Sequence, residues 1–314
     1  MGLKKIKMLV TGGAGFIGSN FIRYVLNQNP NVIIMCVDKL TYAGNKQNLA
    51  GVIGPRCQFI KGDICDQVLM DSIAAECDML INFAAESHND NALAAPKPFI
   101  ETNIVGTYTL LEVVRKYNLR YHQISTDEVY GDLPLDSLAK FDEHSPYRPS
   151  SPYSASKASA DMLVRAWIRS FGIKATISNC TNNYGPLQHT EKFIPQQITR
   201  LKQGQPAYLY GDGTNVRDWL HVTDHVRALY MILFAGRIGE TYLISSDCLY
   251  SNVAIVKQLL AVMHLPSDFY CYGPDRPGHD LKYALDNHKI KRELNWYPRK
   301  TDLTANLAAL VELY

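Results

Sequence analysis

Tyr153 and Lys157 stand four residues apart in Pro152-Tyr153-Ser154-Ala155-Ser156-Lys157. On a helix, side chains at i and i+4 share one face. A free phenol titrates near ~10, too high for a base at neutrality. A neighbouring ammonium favours the phenolate and lowers that value. The pair is therefore a base for taking a proton from a hydroxyl as hydride leaves. Upstream lies Ser125-Thr126-Asp127-Glu128-Val129-Tyr130-Gly131. Hydride transfer alone does not need two adjacent carboxylates beside a hydroxyl. An elimination does: one group removes a carbon-bound proton and the other protonates the departing hydroxyl. Both motifs also have a purely structural reading. A Tyr-x-x-x-Lys is commonly an exposed helix pair, and Asp127 or Glu128 could cap a helix after the strand.

A third pattern supplies hydride chemistry. Thr11-Gly12-Gly13-Ala14-Gly15-Phe16-Ile17-Gly18 follows a short apolar run and precedes a helical pattern. That context suits a dinucleotide fingerprint. Gly12 and Gly15 let the chain turn tightly beside a pyrophosphate, Gly18 lets the helix pack against the sheet, and the helix N-terminus offers free N–H groups. Asp38 follows Gly18 by 20 residues. An acid at that position binds the ribose hydroxyls of NAD and repels the 2′-phosphate of NADP. Asp63 and Ile64, after the third apolar run, could hold the adenine edge, and Ala84 and Ala85 let the backbone approach the cofactor.

The elements that must position these residues alternate. Strands are expected over 7–10, 32–37, 58–61, 79–83, 121–125 and 175–180, with helices over 16–27, 66–75, 98–117 and 152–171. Such alternation implies βαβ units and a parallel sheet. Past residue 182 turn signals crowd, and only 222–235 and 252–263 read as helices. The expected fold is α/β: a doubly wound parallel sheet (Rossmann) with a smaller α+β C-terminal lobe. Residues 1–180 form the NAD-binding part, about 215–245 return to it, and 181–314 mainly bind substrate.

Bulk properties exclude other classes. Lys+Arg number 32 and Asp+Glu 30, a net charge of +2, which leaves no electrostatic footprint for nucleic acid or a membrane surface. Hydrophobic residues make up 46% and charged residues 20%, as in a folded globular chain. The 7 cysteines form no C-x-x-C pair, so reduced, mostly buried thiols are expected and no metal site is. No signal-peptide core or membrane span is read, and the expectation is a soluble cytoplasmic protein.

The motifs above, with Asp38 to Asn45, Phe83-Ala84-Ala85-Glu86-Ser87-His88 and Asn182-Asn183-Tyr184-Gly185-Pro186, resemble the nucleotide-sugar 4,6-dehydratases. These are extended short-chain dehydrogenases/reductases, whose nearest look-alikes act on dTDP-glucose or UDP-glucose. The likeness covers nearly the whole chain, and Thr126-Asp127-Glu128 is its most specific part. It implies three steps on bound NAD: Tyr153 deprotonates the C4 hydroxyl with Thr126 and Lys157 assisting; Glu128 removes the C5 proton while Asp127 protonates the C6 hydroxyl; hydride then returns to C6. It further implies cofactor contacts from Gly12, Gly15, Phe16, Ile17, Gly18, Asp38, Lys39, Leu40, Thr41, Asp63, Ile64, Ala84, Ala85, Ser87, Thr102, Tyr153, Lys157 and Asn183. Substrate contacts are implied for Ser87, His88, Thr126, Glu128, Asn182, Lys192, Phe193, Tyr208, Tyr210, Arg217, Asn252, Arg276 and His279. A homodimer through the 98–117 and 152–171 helices is implied as well. The chain departs from the pattern after His88, where Asn89-Asp90-Asn91-Ala92 replaces the usual Val-Asp-Arg-Ser. Asn91 there is a feature of plant-type UDP-glucose enzymes. A nucleotide-sugar 4-epimerase, which needs no carboxylate pair, and a non-catalytic NAD-sensing protein are the alternatives.

Overall fold

The computed structural model describes residues 5–275 and 277–314. Its strands are β1 (Ile6–Thr11), β2 (Val32–Asp38), β3 (Cys57–Lys61), β4 (Met79–Asn82), β5 (Arg120–Thr126), β6 (Lys174–Cys180), β7 (Asn182–Tyr184), β8 (Ala207–Tyr210), β9 (Val216–His221), β10 (Thr241–Ile244), β11 (Leu249–Ser251) and β12 (Tyr270–Gly273). Its α-helices are α1 (Phe16–Gln28), α2 (Gln67–Ala74), α3 (Asn89–Ala94), α4 (Lys97–Phe99), α5 (Thr107–Tyr117), α6 (Pro152–Phe171), α7 (Phe193–Lys202), α8 (Val222–Ala235), α9 (Asn252–Val262), α10 (His288–Leu294) and α11 (Leu303–Leu313).

Seven strands form one sheet in the order β3-β2-β1-β4-β5-β6-β10, every pairing parallel. A parallel sheet is covered on both faces, so its strands read as continuous apolar runs. Met8, Leu9 and Val10 are accordingly all fully buried, Met8 and Val10 toward one core and Leu9 toward the other. One core holds α1 and α8 and the other α2, α5 and α6. The strand order reverses between β1 and β4, which opens a crevice at their carboxyl ends.

Beyond β6 the chain builds a smaller set of sheets, β11-β9-β7 and β12-β8. A third core lies there, with Ile194, Ile198, Ile255, Leu259, Leu307 and Leu310 from α7, α9 and α11. The chain does not stay in this region. After β9 it returns as α8, which packs on α1, and as β10, which extends the main sheet beside β6. No helix among the described residues is long and apolar enough to cross a membrane.

The 98–117 helix expected from periodicity is interrupted. Between α4 and α5 the chain makes a π-helical stretch, Ile100–Gly106. Asn103 explains the wider turn. Its amide donates to the Glu86 carbonyl at 3.0 Å and to Ser156 Oγ at 2.8 Å, and its oxygen accepts from the Glu86 N–H at 3.0 Å. These contacts fasten the segment to the exit of β4 and to α6. An i→i+5 turn at such a place is a local price of tertiary bonding.

Candidate active site

At the crevice, Gly12 has φ +67°, and a Cβ there would lie 2.4 Å from the Ala84 nitrogen. Only glycine accommodates both. A Cβ on Gly18 would lie 2.4 Å from the Gly12 carbonyl oxygen, so α1 packs directly on the turn. The N-cap of α1 is Gly15, with no side chain capping it. The first-turn N–H groups are thus available to an anion.

Asp38 ends β2 and is buried. Its Oδ2 accepts from the Ala14 N–H at 2.9 Å and its Oδ1 from the Leu40 N–H at 2.8 Å. Burial pushes the carboxyl above its ordinary value, and the two N–H groups oppose the rise. Gly12, Gly15, Asp38, Lys39, Thr41, Asp63, Ile64, Ala84, Ala85 and Thr102 line one cavity. A carboxylate fixed by the main chain beside a glycine-walled cavity suits two ribose hydroxyls, so the residues fit NAD. Lys39 and Asp63, expected as separate cofactor contacts, face each other in an ion pair of 2.7 Å. That neighbour holds the Asp63 carboxyl below its usual range, together with the Cys65 N–H and against burial. Leu40 has φ +57°, and its side chain packs against the first core.

A second cavity joins this one past Gly12. Phe16, Ile17, Gly18, Ser87, Thr126, Asp127, Glu128, Tyr153, Lys157, Asn182, Asn183 and Lys192 line it. A third is lined by His88, Phe193, Tyr210, Arg217, Asn252 and His279. Ser87, Glu128, Asn182 and Lys192 belong to the walls of both.

β5 delivers Thr126 to the junction, and the chain then makes a 3₁₀ turn over Asp127–Tyr130. Thr126 itself is the cap, its hydroxyl accepting from the Glu128 N–H at 3.3 Å. Neither carboxylate is used for capping. The Thr126 hydroxyl also donates to Asp127 Oδ1 at 3.2 Å. Asp127 Oδ2 is buried without a hydrogen-bond partner among the described residues. Burial, then the neighbouring Glu128, push the Asp127 carboxyl well above the carboxylate range. Glu128 is raised by burial too, but its Oε2 accepts from Asn89 Nδ2 at 3.1 Å, which opposes the rise.

α6 begins with a capping box between Ser151 and Ser154. It carries Tyr153 and Lys157, both buried. The Lys157 ammonium donates to the Ile124 carbonyl at 2.7 Å. Burial lowers its pKa, and Asp161 one turn along opposes this. The expectation that Lys157 depresses the Tyr153 pKa needs correction for this structure. Burial, and next the charge of Glu128, push the Tyr153 phenol well above its ordinary value, and a hydrogen bond with Thr126 opposes them. The ammonium is committed to a main-chain carbonyl rather than aimed at the phenol.

In the third cavity Arg217 is almost fully buried. Its guanidinium donates to the carbonyls of Val216, Asp280 and Leu281 at 2.9, 2.8 and 3.3 Å. It also lies 4.3 Å from the Tyr283 ring centroid. His279 Nδ1 lies 2.6 Å from Asp275 Oδ1. Tyr208 is placed differently from its companions: its ring packs edge-on against Tyr210 at 5.3 Å and covers Gly273. Arg276 lies outside the described residues. Asn183 is held by His225 Nδ1 at 2.9 Å and by the Thr181 carbonyl at 2.9 Å.

Sequence reasoning passed over Asn89 and Asp161. Asp161 accepts from Ser125 Oγ, Tyr147 OH and Asn179 Nδ2 at 2.7, 3.0 and 3.2 Å, directly behind Lys157. Its spacing from Lys157 on α6 was a usable signal. For Asn89 the only signal was its departure from the family pattern.

A family model described as GDP-mannose 4,6 dehydratase matches residues 9–305. The dTDP-glucose 4,6-dehydratase of Mycolicibacterium smegmatis is 52% identical over 309 residues, covering 98% of this chain and 93% of that protein. The dTDP-glucose 4,6-dehydratase of Haemophilus influenzae is 46% identical, covering 94% of each. Among solved structures, DesIV (dTDP-glucose 4,6-dehydratase) from Streptomyces venezuelae with NAD and TYD bound matches with a TM-score of 0.95 at 43% identity, covering 98% of this chain and 97% of that one. A UDP-glucose 4-epimerase from Thermotoga maritima matches at 0.89 and 28% identity, covering 98% of each.

Proposed function

This chain belongs to the nucleotide-sugar 4,6-dehydratases of the extended short-chain dehydrogenase/reductase family, and from that premise we propose that it converts dTDP-glucose to dTDP-4-keto-6-deoxyglucose and water using NAD. The observation that carries the reading is the unequal carboxylate pair after β5, both lining the second cavity and Glu128 also walling the third. Asp127 is buried beside another carboxylate and one of its oxygens has no partner among the described residues, surroundings that favour its protonated form. Glu128 receives an amide N–H and faces Arg217 and Lys192, so it gives its proton up more readily. Neighbouring carboxyl groups whose surroundings push them apart divide the roles of acid and base.

NAD, when bound, supplies a hydride acceptor for C4 and a hydride donor for C6. Tyr153 takes the C4 hydroxyl proton with the Thr126 hydroxyl at the phenol; Lys157, which here donates to the Ile124 carbonyl, assists by turning its ammonium toward the phenolate. The C4 ketone acidifies C5, and Glu128 takes that proton. Asp127 gives its proton to the C6 hydroxyl, which leaves as water. A proton then returns to C5. The burial of Thr126, Asp127, Tyr153 and Lys157, with Glu128 part-buried beside them, limits the access of solvent to these protons.

Arg217 and Lys192 are the cations for the substrate diphosphate, since guanidinium forks match phosphate oxygens. A second copy of the chain covers α5, α6 and the π-helical stretch before them, where Ile100, Val105, Tyr108, Met162 and Phe171 are exposed. The cytoplasm is the compartment proposed, in keeping with seven cysteines that are all free.

The test is incubation with dTDP-glucose and, in parallel, UDP-glucose, with products followed by NMR. A 4-keto-6-deoxy product from dTDP-glucose supports the proposal, and absence of turnover with both sugars overturns it. A 4-epimer retaining its C6 oxygen would make the chain an epimerase. Glu128→Gln is expected to suppress loss of C5 hydrogen while C4 oxidation persists.

A further inference from the structure

Resting on the dehydratase reading, we propose that Asn89 is a positioning residue for Glu128, aiming its carboxylate and tying it to the N-terminus of the helix that carries Tyr153. One amide makes both connections. Asn89 Nδ2 donates to Glu128 Oε2 at 3.1 Å, and Asn89 Oδ1 accepts from Ser151 Oγ at 3.2 Å. Ser151 is the N-cap of α6, its hydroxyl accepting from the Ser154 N–H at 3.1 Å. Tyr153 lies two residues further on.

The chemistry of these groups fixes their polarity. An ionised carboxylate only accepts, so the NH₂ side of Asn89 must face Glu128. That leaves the carbonyl side for Ser151. The Ser151 proton then points to Asn89, and its lone pairs serve the helix cap. Protonated Glu128 would itself offer a donor and no longer require this orientation. The bridge therefore favours the basic form of Glu128 and keeps it in register with the tyrosine.

Glu128 is faced from several elements. Asp127 adjoins it, Tyr153 comes from α6, Lys192 from the start of α7 and Arg217 from β9. Asp280 and Tyr283 come from the segment before α10. Asp280 pushes the carboxyl up, while Arg217 and Lys192 hold it down less strongly than the Asn89 N–H does. Removing that N–H raises the Glu128 pKa, so the acid limb of its chemistry moves to higher pH. The first step, proton loss from the C4 hydroxyl, does not pass through Glu128.

The experiment uses the NAD-loaded enzyme with dTDP-glucose and the variants Asn89→Leu and Asn89→Asp. Solvent deuterium entry at C5 and nicotinamide absorbance are followed against pH. The acid limb of C5 exchange is expected to move up by about one pH unit in Asn89→Leu, a roughly tenfold loss on its acid side. It should move further in Asn89→Asp, where a like charge replaces the donor. C4 oxidation should not be lost with C5 exchange, because neutral Glu128 no longer raises the Tyr153 phenol. Carbon-13 NMR titration of labelled glutamate, with the Glu128 signal assigned by Glu128→Gln, reads the same shift without turnover. An unmoved Glu128 titration in Asn89→Asp overturns the proposal, as does equal loss of both steps at every pH. If Asn89→Leu fails to fold, the isosteric Asn89→Asp decides alone. Failure of the wild type on dTDP-glucose would instead refute the dehydratase reading, and the titration would still decide the role of Asn89.

Discussion

Replacing Gly12 by alanine introduces two separable strains that add. The first is conformational: φ +67° is a left-handed geometry that costs an L-residue about 1–2 kcal/mol. The second is steric. The new methyl would meet the Ala84 nitrogen at 2.4 Å and the Phe83 carbonyl carbon at 2.5 Å, both main-chain atoms at the end of β4 that cannot rotate away. Overpacking of that kind costs about 1–3 kcal/mol. The expected total is about 2–5 kcal/mol, which at about 2 °C per kcal/mol for a chain of this size lowers Tm by about 4–10 °C. Gly204→Ala is the control: φ is +71° there, but nothing lies within 4 Å of the added methyl. It should show the conformational strain alone, about 2–4 °C. Because the strand ends wall the cofactor cavity, Gly12→Ala should also weaken NAD binding at least tenfold by calorimetry, on the order of 1.4 kcal/mol. Gly204→Ala should leave it unchanged. Equal Tm losses in the two variants, or an unaltered NAD affinity in Gly12→Ala, would refute the close-approach reasoning.

Two other expectations follow from buried ionisable groups. Asp38→Asn removes the charge facing the ribose while keeping the shape. NAD affinity should fall by about ten- to a hundredfold, in line with the roughly 1.5–3 kcal/mol of a hydrogen bond to a charged group. The NADP-to-NAD affinity ratio should rise in the same titration; a constant ratio would contradict the role of the charge. His122 is buried between Thr176 Oγ1 and Ser178 Oγ at 2.8 and 3.0 Å, and burial pulls its pKa down to about 3. Its folded value lies below the unfolded one, so its contribution is intact above about pH 6.5 and is lost as pH falls toward 3. The unfolding free energy from urea titrations should therefore decline below pH 6.5, by up to about 1.4 kcal/mol per pH unit from this residue. His122→Gln should flatten that slope, and an unchanged slope would remove His122 from the account.

The pattern of legibility follows the range of the interactions. Strands β1 to β6 announced themselves because burial on both faces writes apolar runs into adjacent residues. Tyr153 and Lys157 were legible because a helix turns sequence spacing into spatial proximity. The π-helical stretch was not, since Asn103 is drawn out by Glu86 and Ser156, which lie far from it in the chain. The partner of Lys157 was hidden for a related reason: a main-chain carbonyl such as that of Ile124 leaves no mark on residue type. The ion pair of Lys39 with Asp63 joins the ends of adjacent strands, Asp38 lying opposite Lys61 in the register, so the order of the sheet was needed to see it. Asn89 required the meeting of α3, the turn after β5 and the start of α6, a conjunction no local period encodes. Helices α3, α7, α10 and α11 were not among those expected; α7 carries Pro195 in its first turn.

The return of the chain as α8 and β10 sets a rule for recombination among relatives. A single crossover near residue 181 would not exchange one intact lobe for another. It would bring a foreign β10 against the native β6, whose register runs Thr241 to Ile177 through Ile244 to Cys180. It would also set a foreign α8 into the native core beside Phe21, Ile22 and Val25 of α1. A working graft of the outer lobe has to keep the central return segment native, with junctions on both sides of it. Inheritance of sugar choice in such hybrids is thus a matter of at least three splices rather than one, because Ile290 and Trp296 beyond β10 also belong to the native core.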